Sequence, residues 1–363
     1  MSYERDNVRR MAGYVYGEQP QDPDVVKLNT NENPYPPSPA VAQAIRSFDA
    51  DTLRRYPPAT AENFRRLVAA RFGLSADQVV VTNGGDEALR LAITTFVDPG
   101  AAFGTTEPGY SLCPVLANVQ DSEVVRVELT SDWSLPDDFA GRMNAAGAKL
   151  TCVVNPHAPS GALVDAEAIA GVATELNGVL LVDEAYVDFV DPELGHDLTS
   201  LLPGHDNLLI LRTLSKGYSL AGLRVGFLLG APLLVNPILT KTRDSYNVDA
   251  IAQVAAAAAF LDRPHAERGW VAVRAERRRL TVALADSGFS VTDSQSNFVL
   301  AEVPPGVSAA ALTRGLREDG IVVRHFDTPR LANSLRITVG TALENDMLLA
   351  AIREIWPSLR CRS

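Results

Sequence analysis

From about residue 60 to residue 230 the chain alternates short apolar runs with stretches of helical periodicity. Val79-Val-Val-Thr82 precedes a helix beginning near Asp86, and Leu150-Thr-Cys-Val-Val154 precedes a loop and a helix from about Asp165. Gly178-Val-Leu-Leu-Val182 and Leu208-Leu-Ile-Leu211 continue the series. Strands that alternate with helices predict an α/β fold, with a mostly parallel central sheet and helices on both faces.

Beyond about residue 250 the pattern changes. An Ala-rich helix, Ala250 to Leu261, leads into a long charged helical stretch from Ala266 to about Asp286. Its Arg274, Arg277, Arg278 and Arg279 read as a solvated face. Asn297-Phe-Val-Leu300, a helix near 308–318, Ile321-Val-Val-Arg324 and Leu335-Arg-Ile-Thr-Val339 predict a smaller α+β domain. Residues 1–35 are polar and rich in Asn, Pro and Gly, which predicts a segment lying over a domain surface. The expected organisation is this segment over 1–35, packing over the active site and the small domain, a large domain over 36–245 and a small one over 246–363. No internal repeat or low-complexity linker separates them, so the two domains should pack closely.

With 363 residues, 46% of them hydrophobic, the chain can bury a sizeable core. A net charge of −11 argues against nucleic acid as a partner and against a polybasic membrane contact. No apolar stretch of membrane-spanning length occurs, and Met1-Ser-Tyr-Glu-Arg-Asp shows no signal-peptide pattern, which predicts a soluble cytoplasmic protein. Cys113, Cys152 and Cys361 have neither metal nor redox spacing and read as reduced thiols, so no metal centre is expected.

The chemistry concentrates in Leu211-Arg-Thr-Leu-Ser-Lys216-Gly-Tyr-Ser-Leu-Ala-Gly-Leu-Arg224. Lys216 is flanked by Leu214, Gly217 and Leu220 rather than by charges, and desolvation lowers a lysine's pKa. A lysine that is neutral part of the time is a nucleophile toward aldehydes. Thr213, Ser215 and Arg224 add two hydroxyls and a fixed cation, which suit a phosphate monoester. An aldehyde and a phosphate on one cofactor point to pyridoxal 5'-phosphate, held in the large domain.

Open α/β sheets bind ligands at the carboxyl ends of their strands, and several motifs fall there. In Thr82-Asn-Gly-Gly85-Asp86-Glu87, the main-chain amides of Gly85 and Asp86 are expected to anchor the phosphate at a helix start. In Leu180-Leu-Val-Asp183-Glu184-Ala-Tyr186, Asp183 is expected to hold the pyridine nitrogen protonated, and Tyr186 to donate to the ring's phenolic oxygen. Glu184 receives no assignment. A nucleoside-triphosphatase would need a Gly-x-x-x-x-Gly-Lys-[Ser/Thr] loop, which is missing. In Val153-Val-Asn155-Pro-His-Ala-Pro-Ser-Gly161, Asn155 can bond the same ring oxygen, and His157 is an acid–base candidate. Tyr110, after Glu107-Pro-Gly, is placed to stack on the ring. Arg336, in a strand-like Leu-Arg-Ile-Thr, is an odd charge unless it faces a ligand.

Together these motifs resemble the fold type I pyridoxal-phosphate enzymes of the class I/II aminotransferase superfamily. Within it the chain is most similar to the histidinol-phosphate aminotransferases. The resemblance runs through Leu28-Asn-Thr-Asn-Glu-Asn-Pro34, Arg55-Tyr56-Pro57, Gly84-Gly-Asp-Glu87, Asn155-Pro156, Asp183-Glu-Ala-Tyr186, Thr213-Leu-Ser-Lys216, Ala221-Gly-Leu-Arg224 and Leu335-Arg-Ile-Thr-Val-Gly-Thr341. It implies a catalytic set of Lys216, Asp183 and Tyr186, and a homodimer in which Tyr56 reaches the neighbouring subunit's cofactor phosphate. It also implies that Arg336 and Arg324 bind the substrate's carboxylate or phosphate, that Tyr14 closes over the substrate and that Asn155 lies beside it. The implied reaction transfers the amino group of histidinol phosphate to 2-oxoglutarate. An aromatic amino-acid aminotransferase and a phosphothreonine-type decarboxylase are the alternatives. Asn33-Pro-Tyr-Pro-Pro, His157 and Ser160 depart from the commoner Asn-Pro-x-Gly-Pro, Asn and Thr. These departures touch loops near the substrate and leave the cofactor set intact.

Overall fold

The computed structural model describes residues 2–360; Cys361 lies outside the described residues. Among the described residues, twelve strands form two sheets. They are β1 (Val26–Leu28), β2 (Val79–Thr82), β3 (Ala102–Glu107), β4 (Glu123–Glu128), β5 (Leu150–Val154) and β6 (Val179–Asp183). β7 (Leu208–Thr213), β8 (Gly226–Gly230), β9 (Ser290–Val291), β10 (Phe298–Glu302), β11 (Ile321–His325) and β12 (Ser334–Thr338) follow.

The larger sheet has the order β2-β8-β7-β6-β5-β3-β4. All its strands run the same way except β8, which is antiparallel to both neighbours. The apolar runs lack alternation because both faces are covered. Val80, Cys152, Leu181, Leu209 and Leu228 pack on the side of helices Gly84–Phe96 and Leu112–Val119. Val79, Val153, Leu180, Val182, Ile210 and Leu229 join the other core, with helices Glu62–Phe72, Ala166–Glu175 and Ala250–Leu261. Aspartate caps fix two of these helix starts: Asp165 accepts from Ala168 N at 2.7 Å and Asp249 from Ala252 N at 2.8 Å.

The smaller sheet has the order β1-β11-β12-β10-β9. Its first strand comes from the N-terminal segment, the one expected to pack over the active site and the small domain. β1 pairs parallel to β11, which anchors residues 26–28 and carries the following residues toward the larger sheet. Three residues without a run of alternation leave too short a signal to read. The 24-residue helix Arg263–Asp286 joins the two cores. Ala266, Trp270 and Val273 pack with the large sheet, Leu280 and Leu284 with the small one.

Two expectations need correction. The boundary at 245/246 assigned Ala250–Leu261 to the small domain, yet Ala252, Ala255, Ala256 and Phe260 are buried in the large-sheet core. We propose that the boundary falls inside the long helix, between Val273 and Leu280. The second concerns the arginines. Arg278 and Arg279 are exposed or half-exposed, but Arg274 and Arg277 are buried. Arg277 donates to the carbonyls of Phe189 (2.8 Å) and Ser296 (2.9 Å) and to Asp191 (3.0 Å). A guanidinium with five donors satisfies these acceptors at once.

Removing one partner of a buried ion pair leaves an uncompensated charge, at about 3–5 kcal/mol. Asp191→Ala should therefore lower the urea midpoint sharply. Arg278→Ala, at an exposed end of the same cluster, should leave it within error. Equal shifts in the two variants would contradict the assignment.

Candidate active site

A cavity of about 660 Å³ opens at the carboxyl ends of the parallel strands, where the larger sheet faces the smaller one. Its lining includes Gly85, Asp86, Tyr110, Asp183, Tyr186, Thr213, Ser215, Lys216 and Arg224, with Tyr14, Arg324 and Arg336 on the other side. The topology explains the convergence. β2, β3, β6 and β7 end at this edge and release the segments that carry these residues. β8 runs the opposite way, and its first residue, Gly226, pairs with both Thr82 and Thr213. Arg224, two residues earlier, thus emerges at the same edge.

One end of the cavity is built for an anion. Arg224 Nη1 donates to Ser215 Oγ at 3.3 Å, and its Nη2 to Asp86 at 3.1 Å. Ser215 Oγ also accepts from Thr213 Oγ1 at 2.9 Å, so its own hydrogen is free to be donated elsewhere. The helix starting at Gly84 adds unsatisfied amides. Gly84 has φ +77°, and a Cβ there would approach Arg224 Nη2 to 2.6 Å. Arg224 itself sits at φ 59°, a left-handed conformation costing on the order of 1–2 kcal/mol for a residue with a Cβ. The Asp86 carboxylate holds Arg224 and also accepts from Tyr110 Oη at 3.2 Å, which fixes that ring.

Lys216 follows β7. Its Nζ donates to the Thr30 carbonyl at 3.1 Å, and no carboxylate pairs with it among the described residues. Burial above all, then the nearby Arg336 guanidinium, lowers its pKa to about 8. Asp183, at the end of β6, is buried and accepts from Ala185 N at 3.0 Å. No cation pairs with it among the described residues, and burial raises its pKa to about 7. The next side chain, Glu184, leaves the strand on the other face and pairs with Arg212 (2.8 Å) and His196 (3.2 Å). That buried pairing gives Glu184 a structural role. Tyr186 Oη accepts from Asn31 Nδ2 at 2.9 Å, so its phenolic hydrogen is left to donate, and burial raises its pKa.

The wall contributed by the smaller sheet carries Arg324 and Arg336, which stand directly opposite each other in β11 and β12. Like charges in that register repel. Neither has a carboxylate partner among the described residues, and Arg336 Nε is buried without a hydrogen bond. Both guanidiniums lie against the Phe326 ring, at 5.3 and 5.4 Å from its centre. Arg336 Nη2 donates to Asn29 O at 3.0 Å. Tyr14 meets Tyr110 edge to face, with centroids 6.1 Å apart.

Three sequence candidates lie elsewhere. Asn155 is fully buried outside the cavity lining; its amide donates to Val164 O and accepts from Val164 N, both at 2.8 Å. It braces its own loop, and only its second amide hydrogen is uncommitted. His157 bonds Ser160 Oγ (2.7 Å) and Pro108 O (2.9 Å). A carbonyl only accepts, so Nε2 carries the proton, and burial lowers the pKa to about 4. A neutral, saturated imidazole is not the acid–base group. Tyr56 is 80% exposed and stacks on Tyr246 with centroids 4.3 Å apart. Sequence reading missed Thr30, Asn31 and Phe326, whose places in the cavity depend on contacts between distant segments.

The sequence pattern of aminotransferase class I and II matches residues 23–352. The chain belongs to that family. This aminotransferase is 42% identical over 358 residues to histidinol-phosphate aminotransferase 1 of Nostoc sp., covering 98% of this chain and 99% of the relative. It is 40% identical over 351 residues to the histidinol-phosphate aminotransferase of Microcystis aeruginosa, covering 97% and 98%. Among solved structures, it superposes with TM-score 0.90 on histidinol-phosphate aminotransferase from Sinorhizobium meliloti in complex with pyridoxal-5'-phosphate, at 25% identity and 99% coverage of each chain.

A group with a lowered pKa loses its proton earlier as pH rises. Lys216 of the cofactor-free aminotransferase should therefore capture a small aldehyde faster from pH 6 to 9, with a midpoint near 8. A midpoint near that of free lysine, about 10.4, would contradict the site's electrostatics.

Proposed function

We propose that this aminotransferase binds pyridoxal 5'-phosphate at Lys216 and moves the amino group of histidinol phosphate to 2-oxoglutarate. Its products are then imidazole-acetol phosphate and glutamate. The residues fit the cofactor at three separate points. The lysine of lowered pKa suits the aldehyde, the unpaired buried Asp183 suits a protonated ring nitrogen, and the Arg224–Ser215–Gly85 cradle suits the phosphate. When bound, the cofactor supplies an aldehyde that takes up amino groups and a ring that accepts electron density.

The chain's own residues do the rest. Lys216 Nζ would take the proton from the donor carbon that bears the amino group and, in the second half of the reaction, return one to the acceptor's oxo carbon. Asp183 keeps the ring nitrogen protonated; at 4 Å and an effective dielectric near 20 that attraction is worth about 4 kcal/mol. Tyr186 would donate its free hydrogen to the ring oxygen, and Tyr110 would pack on the ring. The main-chain amides of Gly85 and Asp86, with Thr213, Ser215 and Arg224, hold the phosphate.

The observation that carries the substrate reading is the pair Arg324 and Arg336, two cations set face to face with no anion between them. An incoming phosphate or dicarboxylate relieves their repulsion, and guanidinium geometry serves both. The names of the relatives agree with histidinol phosphate as donor. We also propose a homodimer, in which the exposed Tyr56–Tyr246 stack meets a second copy and Tyr56 reaches its cofactor phosphate. Among the described residues no helix is long and apolar enough to cross a membrane. The acidic composition suits a cytoplasmic enzyme with small-molecule partners and no nucleic-acid partner.

Mixing the cofactor-loaded enzyme with histidinol phosphate, or separately with phenylalanine, tests the donor through the cofactor's absorbance change. Fast conversion by histidinol phosphate is expected, with Arg336→Ala slowing it by a factor of about 100. Preference for phenylalanine would make this an aromatic aminotransferase, and carbon dioxide release from phosphothreonine would make it a decarboxylase.

A further inference from the structure

The loop between β11 and β12 forms part of the cavity wall through Phe326, Thr328 and Leu331. It belongs to the smaller sheet, yet its Arg330 reaches the larger one. Arg330 Nη1 donates to Leu129 O at 2.6 Å and Nη2 to Thr130 O, both just past the end of β4. The same guanidinium lies over the Trp133 ring, 3.9 Å from its centre. Trp133 adopts φ 71°, a rare conformation for a bulky residue, inside a turn closed by Trp133 N to Thr130 O at 3.0 Å. Its ring lies over His157, with centroids 5.8 Å apart. His157 in turn donates to Pro108 O, two residues before Tyr110.

These contacts form one chain from the wall that carries Phe326 to the loop that carries Tyr110. The Phe326 ring is also the surface on which Arg324 and Arg336 rest. No carboxylate pairs with Arg330 among the described residues; its partners are two carbonyls and one aromatic face. A planar fork is needed for that combination, and a lysine cannot supply it.

We propose that Arg330, Trp133 and His157 are positioning residues that clamp the 326–331 loop to the larger sheet and so set the two anion-binding arginines against the cofactor side of the cavity. The clamp touches neither substrate nor cofactor and acts through Phe326. The proposal rests on the aminotransferase reading for its kinetic consequence only.

The test compares wild-type holoenzyme with Arg330→Ala, Arg330→Lys and Trp133→Phe, using hydrogen–deuterium exchange and steady-state kinetics. In Arg330→Ala, peptides covering 326–331 and 129–134 should exchange faster while the rest of the protein is unchanged. KM for both the amino donor and the oxo-acid acceptor should rise about tenfold with kcat nearly constant. Trp133→Phe, which keeps an aromatic face, should retain most of the wild-type KM, and Arg330→Lys should behave like Arg330→Ala. Unchanged exchange in both loops would overturn the clamp. So would a kcat loss at constant KM, full rescue by lysine, or global loss of protection with loss of cofactor, which would mark a merely structural arginine. The exchange measurement uses no substrate, so its result stands apart from whether histidinol phosphate is the donor.

Discussion

Two opposite charges, those of Lys216 and Asp183, share the cavity without meeting. Lys216 and Asp183 both face it, yet no ion pair joins them; the ammonium is tied to the carbonyl of Thr30 and the carboxylate to an amide at Ala185. Direct pairing would quench both groups. Held apart, each is perturbed by burial, the lysine toward its neutral form and the aspartate toward its acid form. The rest of the site extends this logic, for Arg324 and Arg336 also face each other with no anion between them. Such frustration clusters at sites where a ligand resolves it.

The fold provides the separation. Parallel strands deliver one functional segment each to the same edge, spaced by the inter-strand distance. The one antiparallel strand adds Arg224 from the reverse direction, which a wholly parallel sheet would leave at the far side. Glu184 shows the same geometry in reverse. One residue beyond Asp183, it leaves on the opposite face and is neutralised at once by Arg212. The alternation of a strand thus decides which of two adjacent acids is free for chemistry.

Much of this was readable in the sequence, for a physical reason. An apolar run that ends abruptly in Asp183, or passes through Thr213 to Lys216, marks the end of a buried strand, where polar groups need a purpose. Contacts between distant segments left no such mark. The Thr30 carbonyl and the Asn31 amide reach the site across more than 150 residues of chain. Asn155 carried the right motif but spends its amide on Val164, which only the folded loop reveals. The misread arginines are different, because a signal existed. Ala266, Trp270, Val273, Arg277, Leu280 and Leu284 follow one helical stripe, and all are buried. Spacing placed Arg277 on the apolar face; charge alone suggested solvent.

One lysine is set apart chemically from the others. The chain has four lysines, Lys27, Lys149, Lys216 and Lys241, and only Lys216 lines the cavity. Borohydride reduction of the pyridoxal-phosphate-loaded protein, followed by peptide mass spectrometry, reads this directly. A single cofactor adduct on the Lys216 peptide is the expected result. An adduct spread over the other lysines, or none at Lys216, would contradict the account.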